Sequence, residues 1–241
     1  MNPTIEQPGA VYIQTRNDCN ASCSICPQKK ALDKFGLQIM PVKLFEKIIS
    51  DLKDYQGIIG LFLQFEPLLD ERLFDFIRLA KTTKAIVEIS TNGLLLKEKG
   101  EKLRQTGIDR VYFNYGGIKY GGIPMSVIDD VNEFAKEFPI RINYPILGED
   151  DIGGLFPGLE IDKHWASNRG GNVNVVHDHK TKFSVRGCQW ALNIVADGDV
   201  ILCCNDYMRE NIFGNAKDDN VLNIWRNIPK HFNYQICRRC L

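Results

Sequence analysis

The sequence lacks several features that would point to common classes of protein. It has no excess charge, because 30 basic residues balance 30 acidic residues, and proteins that coat nucleic acid or anionic membranes need a surplus of positive charge. No apolar run reaches the length that spans a bilayer, and residues 1–10 carry no signal-peptide pattern. We therefore expect a cytoplasmic protein that acts without nucleic acid and without a membrane.

Cysteine is absent from the long interval between residues 27 and 187, although the chain contains eight cysteines. They form two groups near the ends of the chain, at positions 19, 23 and 26 and at positions 188, 203, 204, 237 and 240. Disulfides rarely persist in a reducing cytosol. Two groups of thiols in such a chain therefore predict two metal sites.

The first two-thirds of the chain alternates short β-rich segments with segments of helical periodicity. Strands are predicted at 11–16, 58–64, 85–91, 110–115 and 140–145, and helices at 42–52, 71–81, 96–106 and 125–138. This alternation predicts an α/β fold in which parallel strands are covered by helices.

The last third of the chain has a different texture. Residues 148–180 are rich in Gly, Asp and Asn, and we expect an irregular connection there with one short strand near 172–176. Asp197-Gly198-Asp199 predicts a hairpin between strands at 191–196 and 200–204, followed by a helix at 221–227. We place a domain boundary near residue 180, giving domains 1–180 and 181–241.

The first cysteine group, Cys19, Cys23 and Cys26, has the spacing C-x3-C-x2-C directly after a predicted strand. Three thiolates on one loop can hold three irons of a [4Fe–4S] cubane and leave the fourth iron open, whereas electron-transfer clusters usually have four protein ligands. Zinc is the alternative, but it needs a fourth ligand at a definite spacing, and the nearest histidine is His164.

The second group supplies four further candidate ligands, Cys188, Cys203, Cys237 and Cys240. Four thiolates can complete a second [4Fe–4S] cluster, although the same spacing also suits a zinc ribbon. Cys204 is left over. It is a buried thiol, a replacement ligand for Cys203, or a hydrogen-atom donor near the active site.

These motifs together resemble the radical S-adenosylmethionine (SAM) superfamily. The second predicted strand ends in Gln64-Phe65-Glu66-Pro67, where the family has a Gly-Gly-Glu-Pro-like stretch that binds the SAM amino group. Both glycines are replaced here, and Glu-Pro is retained. By the same resemblance, the remaining SAM-binding residues are Ile25 against adenine and the strand-end residues Ser90, Thr91 and Asn92.

The C-terminal cysteines resemble the twitch domain, a shortened form of the SPASM domain. The resemblance implies a partial (β/α)6 barrel followed by a small β-hairpin and helix domain around an auxiliary cluster. The implied cofactors are two [4Fe–4S] clusters and SAM. The implied chemistry is reductive SAM cleavage to a 5′-deoxyadenosyl radical, with a flavodoxin- or ferredoxin-type protein as electron donor.

The leading hypothesis is an oxidoreductase that oxidises a small polar alcohol of the cyclitol or aminosugar type, with the auxiliary cluster accepting an electron. The resemblance places Arg169, within Ser-Asn-Arg-Gly-Gly at 167–171, near SAM or substrate. Asp206 is a candidate proton acceptor, or a residue that contacts the ligands of the cluster without being a ligand itself. His177 and His179 are weaker candidates for contact with substrate.

Two alternatives stay open at this point. A radical SAM epimerase or peptide-modifying enzyme would use the Cys204 thiol to return a hydrogen atom to the substrate radical. A non-catalytic zinc-binding interaction protein would explain the cysteines, but it would leave Glu66-Pro67 and the strand-end residues Ser90 to Asn92 without a purpose.

Overall fold

The computed structural model describes residues 6–146, 151–165, 168–173, 190–229 and 234–240. Its strands are β1 Ala10–Ile13, β2 Ile58–Gly60, β3 Ile86–Thr91, β4 Arg110–Asn114, β5 Ile140–Ile146, β6 Glu160–Trp165, β7 Ala191–Ile194, β8 Asp199–Ile201 and β9 Ile212–Asn215. Its α-helices are α1 Gln28–Phe35, α2 Val42–Asp51, α3 Leu73–Ala80, α4 Leu96–Arg104, α5 Gly116–Lys119, α6 Val127–Ala135, α7 Val221–Asn227 and α8 Gln235–Arg239.

The described strands form one sheet in the order β6-β5-β4-β3-β2-β1-β7-β8-β9. Neighbours from β6 to β7 run parallel, whereas β7, β8 and β9 pair antiparallel. The helices between successive parallel strands supply the long crossovers that parallel pairing requires. This open parallel sheet confirms the predicted α/β class, and it is the arrangement of a partial barrel.

One face of the sheet forms the hydrophobic core with the helices. The pattern along β1 is typical, because Val11 and Ile13 are fully buried in this core while Tyr12 projects to the opposite face. Phe45 of α2 stacks on Phe76 of α3 with ring centroids 4.1 Å apart. Each such buried side chain contributes about 1.5–3 kcal/mol, so the core fixes the positions of the strand ends.

The structure corrects the prediction of an irregular connection over 148–180, because Glu160–Trp165 forms strand β6, paired in parallel with β5. β6 lies at the edge of the sheet, where the mostly polar sequence Glu-Ile-Asp-Lys-His-Trp is tolerated in a strand. The predicted strand at 172–176 is also wrong at its start, since residues 172 and 173 lie in a turn, and residues 174–176 lie outside the described residues. The second strand is shorter than predicted and ends at Gly60.

The predicted hairpin is confirmed as β7 and β8, with Asn193 opposite Ile201. The sheet continues through this hairpin, because β7 pairs in parallel with β1. The boundary between domains 1–180 and 181–241 stays a prediction. In the part of the chain that the structure describes, no helix combines the length and the apolar character needed to cross a membrane.

Candidate functional site

The loop after β1 carries the three N-terminal thiols. The backbone N–H of Cys26 donates to the carbonyl of Cys23 at 3.0 Å, and the Nδ2 of Asn92 donates to the Sγ of Cys19 at 3.7 Å. The backbone of Gly122 packs so closely on Cys23 that a β-carbon there would collide with its sulfur. Contacts from two distant segments therefore hold this loop in place.

Burial makes two of these thiols, those of Cys19 and Cys23, weaker acids than a free cysteine. It raises the pKa of the Cys19 thiol to about 12 and the pKa of the Cys23 thiol to about 11. Metal ligation requires the thiolate form, so loading the site releases protons.

Glu66 joins the ends of two neighbouring strands. Its Oε1 accepts hydrogen bonds from the Thr91 hydroxyl at 2.7 Å and from the Leu68 N–H at 3.0 Å, and its Oε2 accepts from the Asn92 N–H at 2.7 Å. The side chain is almost completely buried, and this burial raises the pKa of Glu66 to about 7 against the effect of the three hydrogen bonds. The carboxyl group therefore braces the strand ends, and its predicted contact with SAM stays a prediction.

A cavity of about 420 Å³ opens at the carboxyl ends of the parallel strands, which is within the range of small-molecule sites. Cys19, Cys23 and Cys26 all line it. So do all six predicted SAM-binding residues and two of the three predicted catalytic residues, namely Ile25, Gln64, Glu66, Ser90, Thr91, Asn92, Arg169 and Cys204.

Several polar residues of the cavity wall were not singled out as site residues by the sequence analysis. They are Asn114 at the end of β4, Asn143 in β5, His164 in β6, and Asn205 and Tyr207 after Cys204. The first three share one signal, which is a polar side chain near the carboxyl end of a strand. Ligands bind at this edge of open α/β sheets, so the signal becomes usable once the strands are correctly bounded.

Arg169 lies in a tight turn that packs on the C-terminal helix α8. Arg169, Gly170 and Gly171 all have positive φ, at 52°, 67° and 84°. A β-carbon on Gly170 would lie 2.6 Å from the side chain of Ile236 in α8, so a glycine is required there. The Arg169 guanidinium is close enough to the thiols of Cys26 and Cys240 for both to contribute to its raised pKa.

The described C-terminal thiols also lie near one another. Burial raises the pKa of Cys203 and of Cys237, and the nearby Cys240 raises the pKa of both further. Cys188 lies outside the described residues, as do His177 and His179. Three of the four predicted ligands are thus placed by the structure, on the loop after β8 and on helix α8 with its C-cap.

The adjacent residues Cys203 and Cys204, in the loop after β8, have different environments. Cys204 is exposed and lines the cavity, whereas Cys203 is half-buried and does not line it. The backbone carbonyl of Cys204 accepts a hydrogen bond from the Gln64 side chain at 3.2 Å. This arrangement favours Cys203 as the ligand and places Cys204 in the cavity.

Asp206 has a different environment from the one expected of a proton acceptor. Its side chain is fully buried, and its two oxygens accept the backbone N–H groups of Glu210 at 2.8 Å and Asn211 at 3.0 Å. It does not line the cavity. A catalytic role for Asp206 stays a prediction, and the geometry favours a brace within the loop.

The thiols fit iron–sulfur clusters in their chemistry, since soft thiolates are the ligands that such clusters select. Among the described residues, no group of three or more His, Cys, Asp or Glu side chains converges as the ligands of a single metal ion. The N-terminal thiols instead border a volume large enough for a small molecule beside them.

Two family models match the chain. The radical SAM superfamily model covers residues 13–116, and an iron–sulfur cluster-binding domain model, SPASM, covers residues 188–241. The first region contains the three-cysteine loop and the second contains the C-terminal cysteines. Residues 13–116 are therefore the radical SAM region of an enzyme, and residues 188–241 are an iron–sulfur cluster-binding region. The enzyme's cofactors are SAM and [4Fe–4S] clusters, one from the radical SAM domain and a further one from the C-terminal domain.

The individual proteins that the chain resembles share a quarter to a third of its residues over the matched regions. The chain is 24% identical over 225 residues to the S-adenosyl-L-methionine-dependent 2-deoxy-scyllo-inosamine dehydrogenase of Niallia circulans, covering 90% of this chain and 82% of the relative. It is 33% identical over 112 residues to the tungsten-containing aldehyde ferredoxin oxidoreductase cofactor-modifying protein of Pyrococcus furiosus. It is 26% identical over 175 residues to a probable GTP 3′,8-cyclase of Pyrococcus horikoshii. The matches to these two proteins cover 43% and 68% of this chain, but only 30% and 53% of the relatives.

Solved structures share the fold. BtrN in complex with AdoMet and 2-DOIA superposes with a TM-score of 0.64 at 20% identity, over 91% of this chain and 82% of that one. Streptococcus suis SuiB bound to precursor peptide SuiA superposes with a TM-score of 0.67 at 14% identity, over 93% of this chain and 66% of that one. At these identities the likeness establishes the architecture only.

Proposed function

We propose that this enzyme oxidises a small polar alcohol, of the cyclitol or aminosugar type, to a ketone. The observation that carries the proposal is the position of the cavity between the two groups of thiols. The three-cysteine loop forms one part of its wall, and Cys204, Asn205 and Tyr207, which follow the C-terminal ligand Cys203, form another. The likeness to the 2-deoxy-scyllo-inosamine dehydrogenase over 90% of the chain supports this choice of substrate class.

The residues are assigned as follows in this proposal. The N-terminal cluster is held by Cys19, Cys23 and Cys26, and the C-terminal cluster by Cys188, Cys203, Cys237 and Cys240. SAM lies against Ile25 and the side chains at the ends of β2 and β3, with Glu66 holding those strand ends together. A flavodoxin- or ferredoxin-type protein supplies the reducing electron.

When bound and reduced, the N-terminal cluster and SAM supply a 5′-deoxyadenosyl radical that takes one hydrogen atom from the carbinol carbon. Ketone formation then requires the loss of the hydroxyl proton and of one electron. Cys188, Cys203, Cys237 and Cys240 would hold a second cluster that could accept this electron, since cluster potentials span a wide range that the protein environment sets.

His164 is the residue of the cavity wall best suited to take the proton. Loss of solvent around its partly exposed side chain and, second, the charge of Arg169 lower the pKa of His164, which favours the neutral imidazole with one acceptor nitrogen. Asn114 and Asn143 lie on the same part of the wall. Their carboxamides can donate to and accept from the hydroxyl groups of a polyol.

An anaerobic assay tests the proposal. Reconstituted enzyme is incubated with SAM, dithionite and a panel of cyclitols and aminocyclitols, and the products are followed by mass spectrometry. We expect a product two mass units lighter than one of the alcohols, formed in step with 5′-deoxyadenosine. Formation of 5′-deoxyadenosine in the presence of these alcohols, with no ketone product, would contradict the proposal.

The position of Cys204 favours a second candidate function, which is epimerisation of a small molecule or a peptide residue. The thiol is exposed in the cavity, where it can return a hydrogen atom to a substrate radical. SuiB, bound to its precursor peptide, shares the fold. An epimerase would incorporate one solvent deuterium into its product, and Cys204→Ala would abolish that incorporation, whereas a dehydrogenase would show neither effect.

A further inference from the structure

One short segment of the loop after β8 contacts sulfur atoms of both thiol groups. The hydroxyl of Tyr207 lies 3.7 Å from the Sγ of Cys26, and the Nδ2 of Asn205 donates to the Sγ of Cys240 at 3.5 Å. Cys26 and Cys240 are separated by most of the chain in sequence. Residues 205–207 are therefore placed between the two cluster sites.

The direction of both hydrogen bonds follows from the chemistry of a loaded site. A ligating sulfur is a thiolate and has no proton, so it can only accept. A tyrosine hydroxyl is protonated at neutral pH and an amide NH₂ carries two protons, so both can donate. Hydrogen bonds to the ligand sulfurs are among the factors that set the reduction potential of a cluster.

The packing of the segment holds both donors in position. Tyr207 is 4% exposed, and the Asp206 carboxylate between the two donors is fixed by the N–H groups of Glu210 and Asn211. The Nη1 of Arg169 donates to the Oδ1 of Asn205 at 3.3 Å. Because the Oδ1 of Asn205 accepts this hydrogen bond from the guanidinium, the NH₂ group of Asn205 is directed toward Cys240.

We propose that residues 205–207 adjust both clusters through separate donors. Tyr207 donates to the Cys26 sulfur and raises the reduction potential of the N-terminal cluster, and Asn205 donates to the Cys240 sulfur and raises that of the C-terminal cluster. Donation stabilises the reduced, more negative state of each cluster. Tyr207 and Asn205 are positioning residues in this scheme. The proposal rests on the ligand assignment and is independent of the alcohol substrate.

Redox titration without substrate tests this proposal. Wild-type enzyme, Tyr207→Phe and Asn205→Ala are titrated anaerobically and followed by electron paramagnetic resonance, and the N-terminal cluster is recognised by the response of its signal to SAM. Tyr207→Phe should shift the equilibrium of that cluster toward the oxidised state by about tenfold, or about 59 mV for one electron. Asn205→Ala should shift only the other signal by a similar amount.

Each variant serves as the control for the other. Tyr112→Phe, which removes a tyrosine hydroxyl group from strand β4, is a further control. Unchanged potentials in Tyr207→Phe and Asn205→Ala proteins with full iron content would overturn the proposal. So would equal shifts of both signals in either variant, because a general loosening of the loop would produce that result.

A second measurement observes the hydrogen bond itself. Electron–nuclear double resonance on enzyme exchanged into D₂O should detect an exchangeable deuteron that is coupled to the reduced N-terminal cluster in wild-type enzyme and missing in Tyr207→Phe. Absence of this coupling in wild-type enzyme, or its persistence in Tyr207→Phe, would overturn the assignment of Tyr207 as a donor, whatever the activity of the enzyme toward alcohols.

Discussion

The two thiol sites are built by different means. The N-terminal site lies at the edge of a parallel sheet, where Gln64, Ser90, Asn114 and Asn143 meet although they are widely separated in sequence. The C-terminal thiols are carried by a loop and by the helix α8 with its C-cap. A parallel sheet thus collects its site from many strand ends, whereas the C-terminal site depends on a few local turns.

The consequence is a difference in how each site tolerates change. The strand-end site is supported by the whole core, and Glu66 connects the segment after β2 to the end of β3 through two hydrogen bonds, from Thr91 and Asn92. The C-terminal site depends on close local packing, such as that of Gly170 on Ile236. The following predictions test this difference.

The largest effect is expected from removing the C-terminal ligands. In the double variant Cys237→Ala, Cys240→Ala, the iron content should fall from about eight to about four per chain, since each [4Fe–4S] cluster contributes four. Ketone formation should fall to background, while 5′-deoxyadenosine production continues, because the two sites are built separately. Iron analysis and mass spectrometry check both parts, and loss of all iron would show that the sites are interdependent.

Glu66→Gln tests the brace at the parallel edge. The neutral amide places an NH₂ group against one of the present donors, and we expect the free energy of unfolding to fall by about 3 kcal/mol, the upper range for hydrogen bonds to a charged group. Urea unfolding under anaerobic conditions measures this loss. The matched control is Glu71→Gln, whose carboxylate is exposed and paired with Lys99, and equal losses in the two variants would contradict the account.

The buried side chain of Glu88 makes the free energy of unfolding depend on pH. Burial raises the pKa of Glu88 to about 6, and Arg110 at 3.7 Å partly offsets this. Between pH 4.5 and 6 the folded state binds more protons than the unfolded state, so this group's contribution to stability decreases as the pH rises through that window.

We expect Glu88→Gln to remove about 2 kcal/mol of this pH dependence, since one pKa unit corresponds to about 1.4 kcal/mol. Unfolding measured from pH 4.5 to 7 checks the slope. Glu160→Gln, which alters an exposed carboxylate paired with Arg141 on the edge strand, is the control. A slope unchanged by Glu88→Gln would contradict the assignment.

The smallest effect separates backbone strain from local packing at the C-terminal site. Gly170 and Gly158 have φ of 67° and 77°, but only Gly170 has a close neighbour, Ile236, in the place of a β-carbon. Both alanine variants carry the backbone penalty, and Gly170→Ala should be less stable than Gly158→Ala by about 1 kcal/mol because of overpacking. Thermal unfolding of the two variants side by side measures this difference, and equal stabilities would show that the turn does not depend on this packing.

The sequence predicted the parallel half well because its signals are local. Apolar runs bounded by turn residues indicated β1 to β5, and Asp197-Gly198-Asp199 indicated the β7–β8 hairpin. Strand β6 was not predicted because its sequence, Glu-Ile-Asp-Lys-His-Trp, is mostly polar, which an edge strand tolerates. The parallel pairing of β7 with β1 is a non-local contact, and no local pattern specifies it.

The candidate site was predictable only where residues follow one another along the chain. The cysteine spacings and the strand-end residues Ser90, Thr91 and Asn92 could be named in advance. Asn143 and His164 could not, because their place in the cavity depends on strand order and register. Which of Cys203 and Cys204 lines the cavity depends on the course of one loop, and adjacency in sequence does not determine it.

The central claim is that the three thiols of one loop hold a cluster with an open iron, at which SAM is cleaved. The most direct test is the triple variant Cys19→Ala, Cys23→Ala, Cys26→Ala, incubated anaerobically with SAM and dithionite, with 5′-deoxyadenosine as the readout. We predict that this variant forms none, while it retains the iron of the C-terminal site. Formation of 5′-deoxyadenosine at the wild-type rate would contradict the account.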